Sequence, residues 1–369
     1  MLPVMAGEDS EFVVVGAGLL GLATAAALTR RGRQATVLEQ ATVGHPGAGS
    51  KGSCRIFRLG YPEPEYVALA RRARQFWTEL EHAHGTRLLT PAPQLTFGAE
   101  LDTVHQAMLA AGAPCELLPA AEVGRRFPAV SVPGAALHEP ESCVINASAA
   151  LESLAAALPD LRQHTRVTGI RDDGRRVTVS TDDERLACRA VIVTAGPWTA
   201  GLLGTAGISV PLAATQEQVA YLDLAGSPVP ELPILIEHSG RVCYGLPVPG
   251  TTQYKTGLHH GGPVTDPDQQ DQDHDPALAP ELVGFLGRCL PGLTSRPVSY
   301  ERCIYDNSPD EDFLIGRIGN VVIGSGTSGH GFKFGPLLGD WLAALATRET
   351  PPAQIPHRFS PRRFSSDGW

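Results

Sequence analysis

The sequence predicts an α/β protein, with a doubly wound, Rossmann-like domain interleaved with a smaller mixed-sheet α+β domain. Three observations predict it. A complete β-α-β unit with a glycine fingerprint occupies residues 12–38. Buried-strand patterns ending in glycine turns return at 190–193 and 321–324. Strand-rich, proline-punctuated stretches lie between those pieces. At 369 residues the chain is long enough for two domains. The expected boundaries are 1–80, 144–212 and 305–364 for the doubly wound domain, and 81–143 and 213–304 for the other.

Taken in order, residues 1–10 read as a loose leader, without the basic and apolar regions of a secretory signal. Residues 12–15 form a buried strand and 19–31 an Ala/Leu-rich helix that Gly32 stops; 35–38 give the second strand. A Gly/Ser-rich loop at 44–53 leads into a helix at about 65–83. Short strands such as 94–97 then alternate with helices such as 101–110, and 147–158 is helical. Asp172-Asp173-Gly174 separates the hairpin strands 166–170 and 177–181. Strands dominate 213–304, interrupted by an acidic, Gln-rich insert at 266–275 that reads as a surface loop. A helix at 335–346 follows the last buried strand, and the Pro-rich tail from Thr350 ends regular structure.

Composition excludes several classes. A net charge of −9 and a pI near 5.7 do not provide the basic stripe that nucleic acid requires. The longest apolar stretch, 17–28, is about half a membrane span. Seven scattered cysteines form no CxxC pair, which fits free thiols in a reducing cytoplasm. No histidine pair has zincin spacing. His259 and His260 are adjacent, so on a strand they face opposite sides, and no metal site is expected. Nothing in the chain demands more than a monomer.

Gly16-Ala17-Gly18-Leu19-Leu20-Gly21 follows a strand and opens a helix, the context a dinucleotide site needs. Gly16 permits the tight turn, Gly18 admits a pyrophosphate, and Gly21 lets the helix pack against the strand. Glu39 ends the second strand, where a carboxylate accepts both ribose hydroxyls and disfavours a 2′-phosphate. This motif alone does not separate FAD from NAD.

Later segments do. Cys303-Ile304-Tyr305-Asp306-Asn307-Ser308-Pro309-Asp310 runs on through Phe313, and Ser328-Gly329-His330-Gly331-Phe332-Lys333 follows. With Arg55 to Tyr61, Tyr244-Gly245-Leu246-Pro247 and Lys255-Thr256-Gly257-Leu258-His259, these stretches resemble the monomeric sarcosine oxidase family of flavoprotein amine oxidases, which includes N-methyltryptophan oxidase. The likeness runs from Phe12 to about Phe364. It implies FAD in the doubly wound domain and a small-molecule amino acid substrate with O2 in the other. It implies a thioether from Cys303 to the flavin 8α carbon, Arg58 and Lys333 as a clamp on the substrate carboxylate, and Lys255 over the flavin where oxygen reacts. His259, Tyr244, Tyr305, Tyr61 and His330 match polar pocket positions. Ser50, Lys51, Arg55, Gly196, Gly329 and Gly331 match positions beside the cofactor. The chain also departs from the pattern: Ser50-Lys51 replace a histidine pair, Leu59 stands where histidine is common, and the insert around Asp271 is short.

The resulting expectation is an FAD-dependent oxidase of secondary or N-methyl α-amino acids that releases hydrogen peroxide. An oxidase or dehydrogenase of a cyclic imino acid or a biosynthetic intermediate, and a non-catalytic nucleotide-binding protein, are the alternatives.

Overall fold

In the computed structural model, residues 5–6, 10–224, 232–271, 273–291, 297–349 and 355–364 are described. The first sheet has nine strands. Its parallel centre runs Leu161–Arg162, Ala35–Leu38, Ser10–Val15, Glu184–Val193, Val321–Ser325. Valines fill these strands because both faces are covered, which selects β-branched residues over alternation. The hairpin Val167–Asp172 and Val177–Thr181 adds on through the first half of Glu184–Val193, and Leu314–Ile318 pairs antiparallel to the last strand.

The helix Leu19–Arg30 packs on the helix Gly335–Thr347 over this sheet. Contact is close: a Cβ on Gly339 would come 2.7 Å from the Ala23 backbone. Gly32, at φ 67°, ends the first helix in the left-handed conformation that glycine adopts without strain. Part of the expected leader is ordered, since Met5–Ala6 pair with Glu184–Arg185 and Ser10 opens the next strand; the rest of it lies outside the described residues. The tail at 355–364 forms two short 3-10 turns, and Phe359 is fully buried.

The second sheet has eight strands in the order Pro297–Asn307, Ala213–Asp223, Gln253–His259, Arg241–Pro247, Ile234–Ser239, Gln94–Gly98, Ala136–Glu139, Glu116–Leu118. Registry sets its two faces. Tyr221 pairs Lys255, which pairs Leu246; Val219 pairs Gly257, which pairs Tyr244; Glu301 pairs Val219, two residues from Cys303. Period-two alternation therefore puts Cys303, Tyr305, Tyr244, Lys255 and His259 on one face. The other face carries Ala220, Leu222, Leu235, Cys243, Tyr254 and Leu258, buried with Leu282, Phe285, Leu286 and Cys289. Those four lie on the helix Ala279–Cys289, in a stretch expected to be strands. Their spacing of three, one and three is helical, and covering the second sheet is what secures it. A three-stranded sheet of Cys54–Phe57, Cys143–Asn146 and Leu89–Pro91 completes the core.

Candidate active site

One cavity of about 750 Å³ runs from the carboxyl ends of the parallel strands to the polar face of the second sheet. Ligand sites of open α/β sheets lie outside those strand ends. Gly16 and Gly21 meet steric demands that no other residue satisfies. A Cβ on Gly16, at φ 96°, would lie 2.6 Å from the Thr194 carbonyl; one on Gly21 would lie 1.9 Å from the Gly16 carbonyl. Gly16 and Gly18 line the cavity, whereas Gly21 does not and serves the helix–strand contact alone.

Glu39 is buried and accepts from the backbone amides of Ala17 and Ala41, each at 2.9 Å. Its carboxylate is thereby fixed at the nucleotide end of the cavity. The first helix has no cap from Gly18. Instead Ser50, far along the chain, accepts from the Leu19 amide at 3.0 Å, which brings the 44–53 loop over the helix N-terminus. Gly196, at φ 52°, turns the chain at the opposite wall.

On the sheet face, the Cys303 thiol opens onto the cavity but is walled in by protein. Burial pushes it up, and Arg55, Lys255 and Lys51 pull it back down. Arg55 braces the loop it closes, donating to the Gly49 and Cys54 carbonyls at 3.1 and 2.9 Å and to the Lys51 carbonyl. Lys255 is buried, donates to the Cys54 carbonyl at 3.3 Å and lies 5.5 Å from the Tyr221 ring centre. Burial holds its ammonium below the ordinary lysine value. Tyr244 and Tyr305 line the same wall, their phenols pushed up by burial.

Arg58 and Lys333 meet at the far end. Lys333 is buried and donates to the Tyr61 hydroxyl and the His330 carbonyl, each at 2.9 Å. Burial and then Arg58 push its ammonium well below the ordinary value. Arg58 stacks 4.3 Å over the Tyr61 ring and donates to the Gly60 carbonyl. Both cations line the cavity, while Tyr61 stands behind them. The glycine turn is forced: a Cβ on Gly329 would sit 2.1 Å from the Tyr305 ring, and one on Gly331 2.5 Å from Thr327. His330 is held down to about 3 by burial and Lys333, so its ring is neutral.

Among the groups that escaped the sequence reading are two buried acids. Glu139, 1% exposed, accepts from the Leu59 and Gly60 amides at 3.2 and 2.9 Å and from Gln94 at 2.6 Å. It thus shapes the turn that presents Arg58. Asp306, also buried, accepts from Ser325 at 2.9 Å and from Thr327, tying the Cys303 strand to the glycine turn. One expectation is corrected. His259 and His260 do not face opposite sides: His260 adopts φ 54°, and the two rings lie 4.1 Å apart beside Tyr305. With Glu311 they bring three metal-capable ligand atoms within 4.8 Å, where no metal site was expected.

A glycine cradle that side chains would fill, leading without interruption to a thiol and to cations on a sheet face, fits FAD along its length. The cradle suits its pyrophosphate and Glu39 its ribose. Fold and cavity together define a flavin-dependent redox protein. The chain belongs to the FAD dependent oxidoreductase family, which matches residues 11–345. It is 33% identical to the peroxisomal sarcosine oxidase of Homo sapiens, with 96% of both chains covered. It is 31% identical to the monomeric sarcosine oxidase of Arthrobacter sp. (strain TE1826), with 92% of both covered. Among solved structures, NikD, described as an unusual amino acid oxidase essential for nikkomycin biosynthesis, superposes with a TM-score of 0.86 at 26% identity. That match covers 96% of this chain and 98% of the other. No helix among the described residues is long and apolar enough to cross a membrane.

Proposed function

We propose that the protein is an oxidase of secondary or N-methyl α-amino acids, of the sarcosine or N-methyltryptophan oxidase type, using O2 and releasing hydrogen peroxide. The observation that carries this is the pair Arg58 and Lys333. They share one cavity wall, and among the described residues neither has a carboxylate within ion-pair distance. Two converging cations with no carboxylate in ion-pair contact, Glu139 being spent on the Leu59 and Gly60 amides, are costly to enclose and call for an anionic ligand. A substrate carboxylate supplies it, with arginine offering a planar fork and lysine a compact charge.

Bound FAD supplies the acceptor for the two electrons lost when the C–N bond becomes an imine, and passes them to O2. Water then hydrolyses the imine, so that an N-methyl amino acid gives the amino acid and formaldehyde. Arg58 and Lys333 hold the carboxylate and thereby fix where the amine lies. Tyr244, Tyr305, His259 and His330 wall that space, and the His330 ring, engaged by the Tyr61 hydroxyl and the Glu311 carbonyl and held neutral, adds no charge that would repel the amine. Lys255 provides a fixed positive charge where O2 gains electrons. Cys303 is assigned to covalent attachment of the flavin, with Arg55 and Lys255 favouring its thiolate. Residues 1–80, 144–212 and 305–364 are assigned to the flavin domain and 81–143 and 213–304 to the substrate domain, in a monomeric cytoplasmic enzyme.

The likeness to NikD, an unusual amino acid oxidase essential for nikkomycin biosynthesis, favours, as a second reading, a biosynthetic amino acid in place of an N-methyl one. A panel of N-methyl and cyclic amino acids, scored by anaerobic flavin bleaching and by peroxide release in air, tests both. Bleaching and peroxide with N-methyl substrates are expected. Bleaching followed by slow reoxidation in air would make the protein a dehydrogenase, and no bleaching by any amino acid would overturn the proposal.

A further inference from the structure

We propose that the rim of the cavity binds one divalent transition-metal ion, held by His259, His260 and Glu311. The strand Gln253–His259 ends at His259, and the left-handed backbone of His260 brings its ring back beside its neighbour. Glu311, at φ 60° on the turn after the Cys303 strand, reaches the pair from the other side. One ligand atom from each residue lies within 4.8 Å of the other two. His260 Nε2 is buried without a hydrogen-bond partner, and the nearest Glu311 carboxylate oxygen stands 3.6 Å away. That separation is too long for a hydrogen bond. It is close to the roughly 3.3 Å between two ligands of a tetrahedral ion with bonds of about 2.0–2.1 Å.

Two imidazoles and one carboxylate form a borderline donor set. It suits zinc, copper(II) or nickel, and does not suit calcium or magnesium, which take oxygen ligands in larger number. The Glu311 side chain is 61% exposed, so an ion can arrive from solvent. His259 lines the cavity, so a bound ion would sit on the wall shared with Tyr305. Three protein ligands leave the fourth position to water or to a donor atom of a bound small molecule.

The test uses flavin-loaded protein stripped with EDTA, then titrated with zinc sulfate by calorimetry and assayed for retained metal after gel filtration. His260→Asn keeps a residue type that tolerates the left-handed backbone, and Glu311→Gln keeps the side-chain shape. Neither residue lines the cavity, so the flavin spectrum of each variant reports that it has folded. One zinc per chain is expected, with affinity lowered at least about tenfold in each variant and no retention of magnesium or calcium. Zinc that the native protein fails to retain, or retains equally in both variants, would overturn the site. Should either variant lose its flavin, cobalt(II) added to the native protein decides: tetrahedral visible bands support the site and their absence refutes it. No amino acid substrate enters these measurements, so their outcome is independent of the proposed oxidase activity.

Discussion

Replacing Lys333 with methionine removes one charge of the proposed clamp and keeps the length of the side chain. An ammonium has three donors, and two of them are spent on the Tyr61 hydroxyl and the His330 carbonyl. The third is left for a ligand. A charge-assisted hydrogen bond contributes about 1.5–3 kcal/mol, so Lys333→Met should raise KM for an α-amino acid about 10- to 150-fold. Folding should survive, because Tyr61 keeps His330 Nδ1 at 3.3 Å and the buried ammonium has no carboxylate to strand. Binding of a carboxylate inhibitor that lacks an amine, followed by the flavin spectrum, isolates the clamp from amine protonation. In the native protein that binding should weaken as pH rises through a lysine value lying below the ordinary one, because only the ammonium holds the anion. In Lys333→Met this alkaline limb should disappear. Linkage fixes the companion effect on stability. The folded state releases the Lys333 proton more readily than the unfolded chain does. Between the two values the unfolded state therefore holds more protons, and this contribution to stability grows with pH. Inhibitor affinity unchanged in Lys333→Met, with the alkaline limb intact, would refute the clamp.

Two further substitutions separate the cofactor from the chemistry. Cys303→Ser should abolish the yellow colour that stays with acid-precipitated protein; colour released from native protein by acid would refute the attachment. Lys255→Met should slow reoxidation of the reduced flavin in stopped flow and leave anaerobic reduction by substrate less affected. A unit charge at about 4 Å in an effective dielectric near 20 stabilises a developing anion by about 4 kcal/mol, an upper bound of about a thousandfold, and equal reoxidation rates would remove Lys255 from the oxygen reaction.

The parts of the site that were legible in the sequence are those in which geometry forces the residue type. Gly16 and Gly21 must be glycine because a Cβ would collide with backbone. Cys303 and Tyr305, like Lys255 and His259, share a face because strand spacing is even. Glu139 was not legible, because what makes it matter is its meeting with the Leu59 and Gly60 amides, 80 and 79 positions away. The same holds for Tyr221 and Glu301, hydrogen-bonded at 2.9 Å beside Lys255 across 80 positions. His260 was misplaced because alternation fails where a strand ends: one left-handed residue puts both rings on the same side. The helix Ala279–Cys289 was missed inside a strand-rich region although its apolar spacing carried the signal.

Charge along the cavity explains why so acidic a chain suits an anionic ligand. The chain carries a net −9, yet Lys51, Arg55, Arg58, Lys255 and Lys333 all line the cavity. Acids line it too, but each has its own partners. Glu39 takes backbone amides, Asp306 takes hydroxyls, Glu301 takes the Tyr221 hydroxyl, and Asp268 pairs with Arg166 and the Trp198 indole. Among the described residues none of the five cations forms an ion pair with a carboxylate. The acids are therefore satisfied by the fold, whereas Arg55, Arg58, Lys255 and Lys333 are held by neutral carbonyl and hydroxyl groups and have their charge unmatched. Under the proposed function, a pyrophosphate at one end and a substrate carboxylate at the other would supply the matching charge. Burying Lys255 and Lys333 without carboxylate partners destabilises the empty fold, so ligands that bring anions should stabilise it by mass action. Burial is what lowers both lysines first, and if Arg58 and Lys333 clamp the substrate as proposed, an uncharged amine should bind more weakly than an amino acid.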